Sequence, residues 1–414
     1  MTTESGNPAL AYARYRLPKG RRSRTNARDR WFASESAGYY VKNPANFKIS
    51  KFAAADNLYL AFKRLEEDGG HGAGTDGFRP AHFSENELRP ILRKVTETLI
   101  DGSYQPYEPK ICTVAKNAGG TRDLALFRFI DRTVAKALLN CLKPFWNERM
   151  IALSPRQIFA RLHWTIQEQR RYVFATDDIR KCFDYARLDD VMAWHRHHIQ
   201  KQRLLEVIQR IIRGNDSLGT GIGLPQGSPY SPTAMDLLLH HVLDLVMADR
   251  ARNTPSFRYV DNLAYLCSDV SEGVRTLSLA SEVLETASFQ LKGEDGQPQD
   301  LRDPEHNKVF LGLIPRWQNG LLTFSIPESA FETLTIGLQV ANEAPLPAEN
   351  ALRRCTGWLQ AQGPALTRNV EQEVVDRVVD MARHAGFRNV THKSMLEIAA
   401  RARSSWHREL EEAR

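Results

Sequence analysis

Two aspartates stand in apolar segments that are separated by about eighty residues of the chain. Asp178 follows Phe-Ala-Thr-Asp at residues 174–177, and Asp261 lies in Tyr-Val-Asp-Asn at residues 259–262. Hard divalent cations prefer carboxylate oxygens as ligands, and a pair of such cations activates a hydroxyl and stabilises a leaving pyrophosphate in nucleotidyl transfer. The two segments therefore predict a metal-dependent catalytic site, with an aspartate from each segment as a candidate metal ligand.

Three polar residues adjoin this pair. Asp177 precedes Asp178, but successive strand residues point to opposite faces, so we expect Asp177 to lie outside the site. Asp184 is expected to be structural, as the cap of a turn. Asn262 follows Asp261 and offers a neutral amide oxygen, which attracts a hard dication less strongly than a carboxylate does.

Two turns accompany the acidic segments. Residues 223–232 read Gly-Leu-Pro-Gln-Gly-Ser-Pro-Tyr-Ser-Pro, which contains too much Pro and Gly for the interior of a helix or strand. Residues 116–124, with their Asn and Gly, follow a short strand at 111–114 and predict a hairpin flanked by Lys116 and Arg122. These two cations either bind phosphate or are simply solvated at the hairpin tip.

Hydrophobic periodicity places these motifs among helices. Helices are predicted over 53–65, 85–100, 188–198, 204–213, 233–248 and 271–292, and the composition becomes helical from about residue 320. His195, His197 and His198 do not share one helix face, and His240 and His241 are adjacent, so we expect core or surface roles rather than metal ligation for all five.

The order of acidic strand, Pro-Gln-Gly loop and Tyr-x-Asp hairpin resembles the palm of a bacterial reverse transcriptase. The Gly-rich turn and Thr-Asp-Gly at 75–77, with Asp-Arg at 131–132, resemble group II intron-like enzymes. Pro-Gln-Gly-Ser-Pro-x-Ser-Pro also resembles retron and defence-associated enzymes. The chain departs from the family at Asn262, because reverse transcriptases normally carry Tyr-x-Asp-Asp.

The resemblance implies an α+β right-hand polymerase with fingers, an antiparallel palm sheet with packed helices, and a C-terminal helical thumb. It divides the chain into a basic arm at 1–50, fingers and palm at 51–319, and a thumb-like region at 320–414. The implied roles are Mg²⁺ or Mn²⁺ binding by Asp178 and Asp261, triphosphate binding by Lys116 and Arg122, exclusion of ribonucleotides by Phe183, and shaping of the nucleotide pocket by Gln226. Gly312, in Phe-Leu-Gly-Leu, and Trp358, in Gly-Trp, resemble primer-grip and thumb residues, with core packing as the alternative.

The charge of the chain favours a polyanionic partner. The formal net charge is +7, and basic residues cluster between residues 14 and 30. We expect Arg21, Arg22 and Arg24 either to contact phosphates or to belong to a solvated tail. Five scattered cysteines, no membrane-spanning apolar run and no signal-peptide pattern predict a cytoplasmic protein without a membrane partner.

The expected activity is RNA-directed DNA synthesis from dNTPs on an RNA template with a DNA or RNA primer. An associated non-coding RNA and a role in antiviral defence are compatible with the absence of a recognisable nuclease pattern in the last hundred residues. Two alternatives stay open: a catalytically silent or attenuated palm that serves as an RNA-binding scaffold, and template-independent DNA synthesis by the same site.

Overall fold

The computed structural model describes residues 39–41, 43–67, 72–115, 121–150, 153–213, 220–294, 296–343 and 346–414. Its longer elements, in chain order, are α1 (Ala55–Glu67), α2 (Glu85–Asp101), β1 (Lys110–Ala115), β2 (Thr121–Leu126), α3 (Phe129–Met150), α4 (Pro155–Gln169), β3 (Val173–Asp178), α5 (Leu188–His198), α6 (Gln202–Arg213), α7 (Ser231–Leu239), α8 (Leu245–Arg250), β4 (Ser256–Tyr259), β5 (Asn262–Cys267), α9 (Val270–Glu285), β6 (Gln299–Asp300), β7 (Ile314–Gln318), β8 (Leu321–Ser325), α10 (Glu328–Glu343), α11 (Pro347–Ala361), α12 (Glu371–His384) and α13 (His392–Glu412).

A four-stranded antiparallel sheet with the strand order β4-β5-β3-β6 forms the centre of the molecule. Its central strands are almost continuously apolar because both faces are covered, and β3 is buried from Val173 to Asp177. Val173 and Ala175 face a core built with helices α3, α5, α6, α7 and α9. Phe174, on the opposite face, packs with residues of α4 and the C-terminal elements. The register pairs Asp178 with Asn262, so the polar ends of β3 and β5 meet at one edge.

Two smaller units adjoin the sheet. Strands β1 and β2 form a separate antiparallel hairpin, and helices α10 to α13 enclose an apolar core of their own. A third cluster joins the sheet to the C-terminal helices, because Trp317 of β7 and Trp406 of α13 share it with Phe174. The sheet edge is therefore framed by the hairpin on one side and supported from behind by packed helices.

Three of the predicted elements differ in the structure. The helix predicted over 271–292 ends at Glu285, because Ser288 adopts a left-handed φ of 65° and the following residues pair with the chain beyond β3. The helix predicted over 233–248 is interrupted by a π-helical turn, His240–Asp244. Residues 321–325 form β8, so the C-terminal helices begin at Glu328 rather than near residue 320.

The Phe310-Leu311-Gly312-Leu313 motif forms a tight turn. Phe310 and Leu313 exchange backbone hydrogen bonds of 2.8 and 3.1 Å, and Leu311 and Gly312 between them have φ values of 49° and 84°. These values define a two-residue turn, for which Gly312 supplies a left-handed conformation at low cost.

The mixture of helices and antiparallel sheets confirms the predicted α+β class. Among the described residues, no helix combines the length and apolarity needed to cross a bilayer. The division into arm, fingers and palm, and thumb stays a prediction.

Candidate active site

The two predicted metal ligands lie at the same edge of the sheet. Asp178 is the last residue of β3, and Asp261 lies in the tight turn between β4 and β5, where Val260 has a φ of 55°. The Ile179 N–H donates to the Asp261 carbonyl at 2.9 Å, which fixes the turn against the end of β3. Burial raises the pKa of Asp261, and the negative charge of Asp178 raises it further. This geometry is that of a partly desolvated carboxylate pair.

Backbone donors hold the carboxylate of Asp177. Asp177 is 6% exposed, and its carboxylate accepts hydrogen bonds from the Asp178 and Gly293 backbone N–H groups. These bonds fix the carboxylate at the end of β3, and its place outside the metal-binding pair stays a prediction from the alternation of strand residues.

Lys292 neutralises part of the charge at this edge. Its ammonium lies 2.5 Å from an Asp178 carboxylate oxygen. Partial burial alone would lower the pKa of Lys292, but the hydrogen bond to Asp178 and the charges of Asp178, Asp261 and Glu294 raise it. Lys292 was not predicted as a site residue.

Asn262 contacts the second carboxylate directly. Its amide donates to the Asp261 Oδ1 at 3.1 Å, so the departure from Tyr-x-Asp-Asp places a neutral donor beside Asp261. The described edge therefore carries two carboxylates, one ammonium and one amide.

The Pro-Gln-Gly loop closes one side of the site. Leu224 and Gly223 N–H groups donate to the Phe183 and Ala186 carbonyls at 2.8 Å each, which attaches the loop to the helical turn Cys182–Tyr185 after β3. The Gln226 side-chain amide donates to the Asp184 Oδ1 at 2.9 Å. Asp184 thus orients Gln226, a role more specific than the turn cap predicted for it.

The same loop meets the β1–β2 hairpin through its backbone. The Ala125 N–H donates to the Gln226 carbonyl at 2.6 Å. Gly227 has a φ of 118°, and a Cβ there would lie 2.5 Å from the Ala125 carbonyl oxygen. Only glycine allows this approach, so Gly227 sets the distance between loop and hairpin.

Two of the other predicted nucleotide contacts, Arg122 and Phe183, lie in elements that adjoin this loop. Arg122 is exposed on β2, and its positive charge lowers the pKa of Asp261, which places the guanidinium within the field of the carboxylate pair. Phe183 lies on the helical turn that follows β3 and is partly buried against the core. Lys116 lies outside the described residues.

A buried ion-pair cluster, which the sequence reading missed, supports the Asp261 turn from below. The Arg258 guanidinium donates two hydrogen bonds to Asp244, at 2.8 and 2.7 Å, and one to Asp236 at 2.8 Å. It also donates to the Val260 carbonyl at 3.0 Å. Arg258 therefore ties the residue before Asp261 to helix α7 and the π-helical turn.

A second buried network holds the end of the loop. The Trp146 indole N–H donates to the Tyr230 hydroxyl at 3.4 Å, and that hydroxyl lies 3.0 Å from His195 Nε2. His195 Nδ1 lies 2.8 Å from the Val191 carbonyl, so all donors are satisfied when Nδ1 carries the proton. Burial lowers the pKa of His195 to about 4, which keeps the imidazole neutral as this chain of donors requires.

The edge fits a divalent cation by the chemistry of its donors. Two carboxylates are the protein ligands that Mg²⁺ commonly uses, with water and substrate phosphates completing its octahedron. Within the described ranges, no group of three or more His, Cys, Asp or Glu side chains converges to hold a metal ion. His197 and His198 do lie near His241, which stacks on Trp194 at 3.7 Å, but this set belongs to aromatic packing.

Residues 114–294 match the reverse transcriptase (RNA-dependent DNA polymerase) family. The matched region contains both carboxylates, the Pro-Gln-Gly loop, Arg122 and Lys292. A further similarity is to Protein YkfC of Escherichia coli (strain K12), which is 24% identical over 193 residues. The alignment covers 42% of this chain, and the chain spans 50% of the length of that relative. At family level, the region supports nucleotidyl transfer by an RNA-directed DNA polymerase.

Two predicted nucleic-acid contacts lie C-terminal to the reverse transcriptase region. Gly312 occupies the exposed side of its turn, with no atoms near the place of a Cβ. Trp358 is half-buried, donates its indole N–H to the Ala330 carbonyl at 2.9 Å and packs on Phe331. These contacts give Trp358 a packing role, and its contact with nucleic acid stays a prediction. Arg21, Arg22 and Arg24 lie outside the described residues.

Gly227→Ala should lower the stability and activity of the matched region, residues 114–294, more than an alanine substitution does at another glycine with a positive φ. The added Cβ meets the Ala125 carbonyl in a backbone conformation that costs of order 1–3 kcal/mol for a side-chain-bearing residue, so we expect lower stability and a raised KM for dNTP. Denaturant titration and steady-state kinetics measure both. Gly221→Ala is the matched control, because Gly221 also has a positive φ, 64°, but open space around its Cβ position. Equal effects of the two substitutions would contradict the close-approach argument.

Proposed function

We propose that this chain is an RNA-directed DNA polymerase that adds deoxynucleotides to a primer 3′ end by two-metal nucleotidyl transfer. The observation that carries the proposal is the placement of Asp178 and Asp261 at one sheet edge, beside the Pro-Gln-Gly loop and within the field of Arg122. A carboxylate pair in a partly buried edge costs stability through like-charge repulsion unless it serves a cation. Mg²⁺ or Mn²⁺ bound there would supply Lewis-acid activation of the primer hydroxyl and charge neutralisation at the phosphates.

The other residues of the proposed site bind and select the nucleotide. Arg122 and Lys116 carry positive charges that offset the negative charge of the triphosphate. Gln226, held by Asp184, presents its side chain beside the sugar and templating base. Phe183, on the helical turn Cys182–Tyr185 that follows β3, limits the space for a ribose 2′-hydroxyl. The partners of the reaction are dNTPs, an RNA template and a DNA or RNA primer.

The biological setting of the proposal is bacterial and cytoplasmic, with a function in antiviral defence and an associated non-coding RNA. The similarity of Pro-Gln-Gly-Ser-Pro-x-Ser-Pro to defence-associated and retron enzymes supports it. Phage plating on cells that express the wild type or Asp261→Asn tests it, since protection should require the carboxylate. Equal plating on both strains would remove the defence function and leave the polymerase proposal intact.

Primer extension tests the enzymatic proposal. We expect labelled dNTPs to enter product on a primed RNA template with Mg²⁺ or Mn²⁺, and no product when the template is omitted. Product without template would instead establish untemplated synthesis. If neither metal titration gives product while the protein still binds nucleic acid, the chain is instead a catalytically silent RNA-binding scaffold. The neutral Asn262 beside Asp261 is the observation that favours this alternative.

Phe183→Ala should relax sugar selection. Removal of the ring opens space for the 2′-hydroxyl, so the ratio of rNTP to dNTP incorporation should rise by about tenfold or more, because steric pockets discriminate on that scale. Competition between paired rNTPs and dNTPs measures the ratio, and the dNTP rate of the same variant is its internal control. An unchanged ratio in an active variant would show that another residue selects the sugar.

A further inference from the structure

Lys292 is fixed beside Asp178 by its backbone. The Lys292 N–H donates to the Asp178 carbonyl at 2.8 Å, and the Arg180 N–H donates to the Gln290 carbonyl at 2.8 Å. The next residue, Gly293, donates its N–H to the Asp177 carboxylate. Residues 290–293 therefore run alongside the end of β3, on the side opposite the Asp261 turn, and these bonds fix the backbone of Lys292 but not its side chain.

The ammonium of Lys292 contacts one of the two carboxylate oxygens through which Asp178 would bind a cation. It lies 2.5 Å from Asp178 Oδ2, and it also lowers the pKa of Asp261 through its charge. Asp178, Asp261 and Lys292 together sum to one negative charge, and Asn262 adds none. A site with this net charge attracts a dication much less than an uncompensated carboxylate pair does.

We propose that the Lys292 ammonium is a resident counter-ion of the carboxylate pair, which a divalent cation must displace from Asp178. The inference rests on the proposed function, because it takes Asp178 and Asp261 as metal ligands. Displacement is open to the side chain, since Lys292 and Asp178 keep 37% and 27% of their side-chain surfaces exposed. The displaced ammonium stays within the field of Glu294, whose charge also acts on Lys292.

In the protein without nucleotide, the Lys292 ammonium should weaken metal binding. The metal affinity is then set by competition between this tethered ammonium and a free dication for Asp178. Removing the ammonium should therefore tighten metal binding, although the same substitution removes a positive charge close to the proposed triphosphate site and is expected to impair synthesis.

Mn²⁺ titration of the free protein, followed by the electron paramagnetic resonance signal of unbound Mn²⁺, tests the competition without an activity readout. Lys292→Met keeps the length of the side chain and removes its charge. We expect it to tighten Mn²⁺ binding by about tenfold or more, since a unit charge a few ångströms from a dication acts on that scale. Lys201→Met, at an exposed position before α6, is the control for net charge and should bind as the wild type does.

The effect must also depend on Asp178. In an Asp178→Asn background the ammonium has lost its partner, so Lys292→Met should change Mn²⁺ affinity much less than it does in the wild type. Lys292→Gln provides a second neutral variant, and thermal melting shows that each variant is folded. Wild-type affinity in folded Lys292→Met and Lys292→Gln, or an undiminished effect in the Asp178→Asn background, would overturn the proposal.

The two proposals fail in different ways. A wild type that extends primers while Lys292 variants bind Mn²⁺ normally overturns the counter-ion and leaves the polymerase. Tighter Mn²⁺ binding in Lys292→Met, with no dNTP incorporation by the wild type, supports the counter-ion and overturns the polymerase. The absence of Mn²⁺ binding in every variant overturns the counter-ion, and primer extension by the wild type then decides the polymerase separately.

Discussion

Asp261→Asn should lower the rate of dNTP incorporation by about three orders of magnitude or more. A bound cation supplies several kcal/mol of transition-state stabilisation, and each 1.36 kcal/mol is about tenfold in rate. Asp261 lies in a turn fixed by two hydrogen bonds, from the Ile179 N–H to the Asp261 carbonyl and from the Arg258 guanidinium to the Val260 carbonyl. Asp178→Asn should have a comparable effect, and primer extension measures both.

The loss should occur without unfolding. Burial and the Asp178 charge already raise the pKa of Asp261, so the amide removes an unfavourable interaction when no cation is bound. We expect the melting temperature of Asp261→Asn to equal or exceed that of the wild type. Asp56→Asn, which alters a carboxylate that is 71% exposed on α1, should affect neither activity nor melting. A rate of dNTP incorporation by Asp261→Asn equal to that of the wild type would contradict the assignment of Asp261 as a metal ligand.

The parts of the site that local patterns define could be predicted from the sequence. The apolar runs that contain Asp178 and Asp261 form strand β3 and the β4–β5 hairpin of one sheet, and β3 pairs with β5. The density of Pro and Gly around Gln226 excluded regular structure there. These predictions succeed because each depends on fewer than about ten consecutive residues, over which strand periodicity and turn chemistry are strong.

The contacts that tune the site join residues far apart in the chain and carry no local signal. Lys292 is 114 residues from Asp178, and its segment was assigned to a helix by the periodicity that continues from α9. Ser288 and the buried Phe289 end that helix and turn the chain along β3, which only tertiary packing decides. Arg258 reads in sequence as a polar strand residue, and its two partners lie on a helix and a π-helical turn.

Substitution of Arg258 is expected to produce the second large effect, a loss of folding stability. Its side chain is 10% exposed, and its guanidinium satisfies Asp244, Asp236 and the Val260 carbonyl at once. Removing one partner of a buried ion pair leaves an uncompensated buried charge, which costs more than the pair itself contributes. Here two carboxylates would be left, under the turn that positions Asp261.

Arg258→Met should lower the free energy of unfolding by about 3–5 kcal/mol, the usual cost of breaking a buried pair. Denaturant titration measures the loss. Arg258→Lys should lose less stability than Arg258→Met, because it keeps the charge but cannot bind two carboxylates and a carbonyl in one plane. The triple variant Arg258→Met, Asp236→Asn, Asp244→Asn should recover part of the loss, since no charge then lies unpaired. A triple variant less stable than Arg258→Met would contradict this account.

The pH dependence of stability provides an independent check on the same cluster. Burial alone would raise the pKa of Asp244, but the charge and hydrogen bonds of Arg258 lower it to about 2. That value lies below the roughly 3.9 of an unfolded chain, so ionised Asp244 stabilises the fold above about pH 4, and this contribution is lost as the pH falls towards 2. The stability difference between the wild type and Asp244→Asn should therefore be large near neutrality and shrink in acid. A difference that stays constant from pH 7 to pH 3 would mean that Asp244 acts through packing rather than through its charge on Arg258.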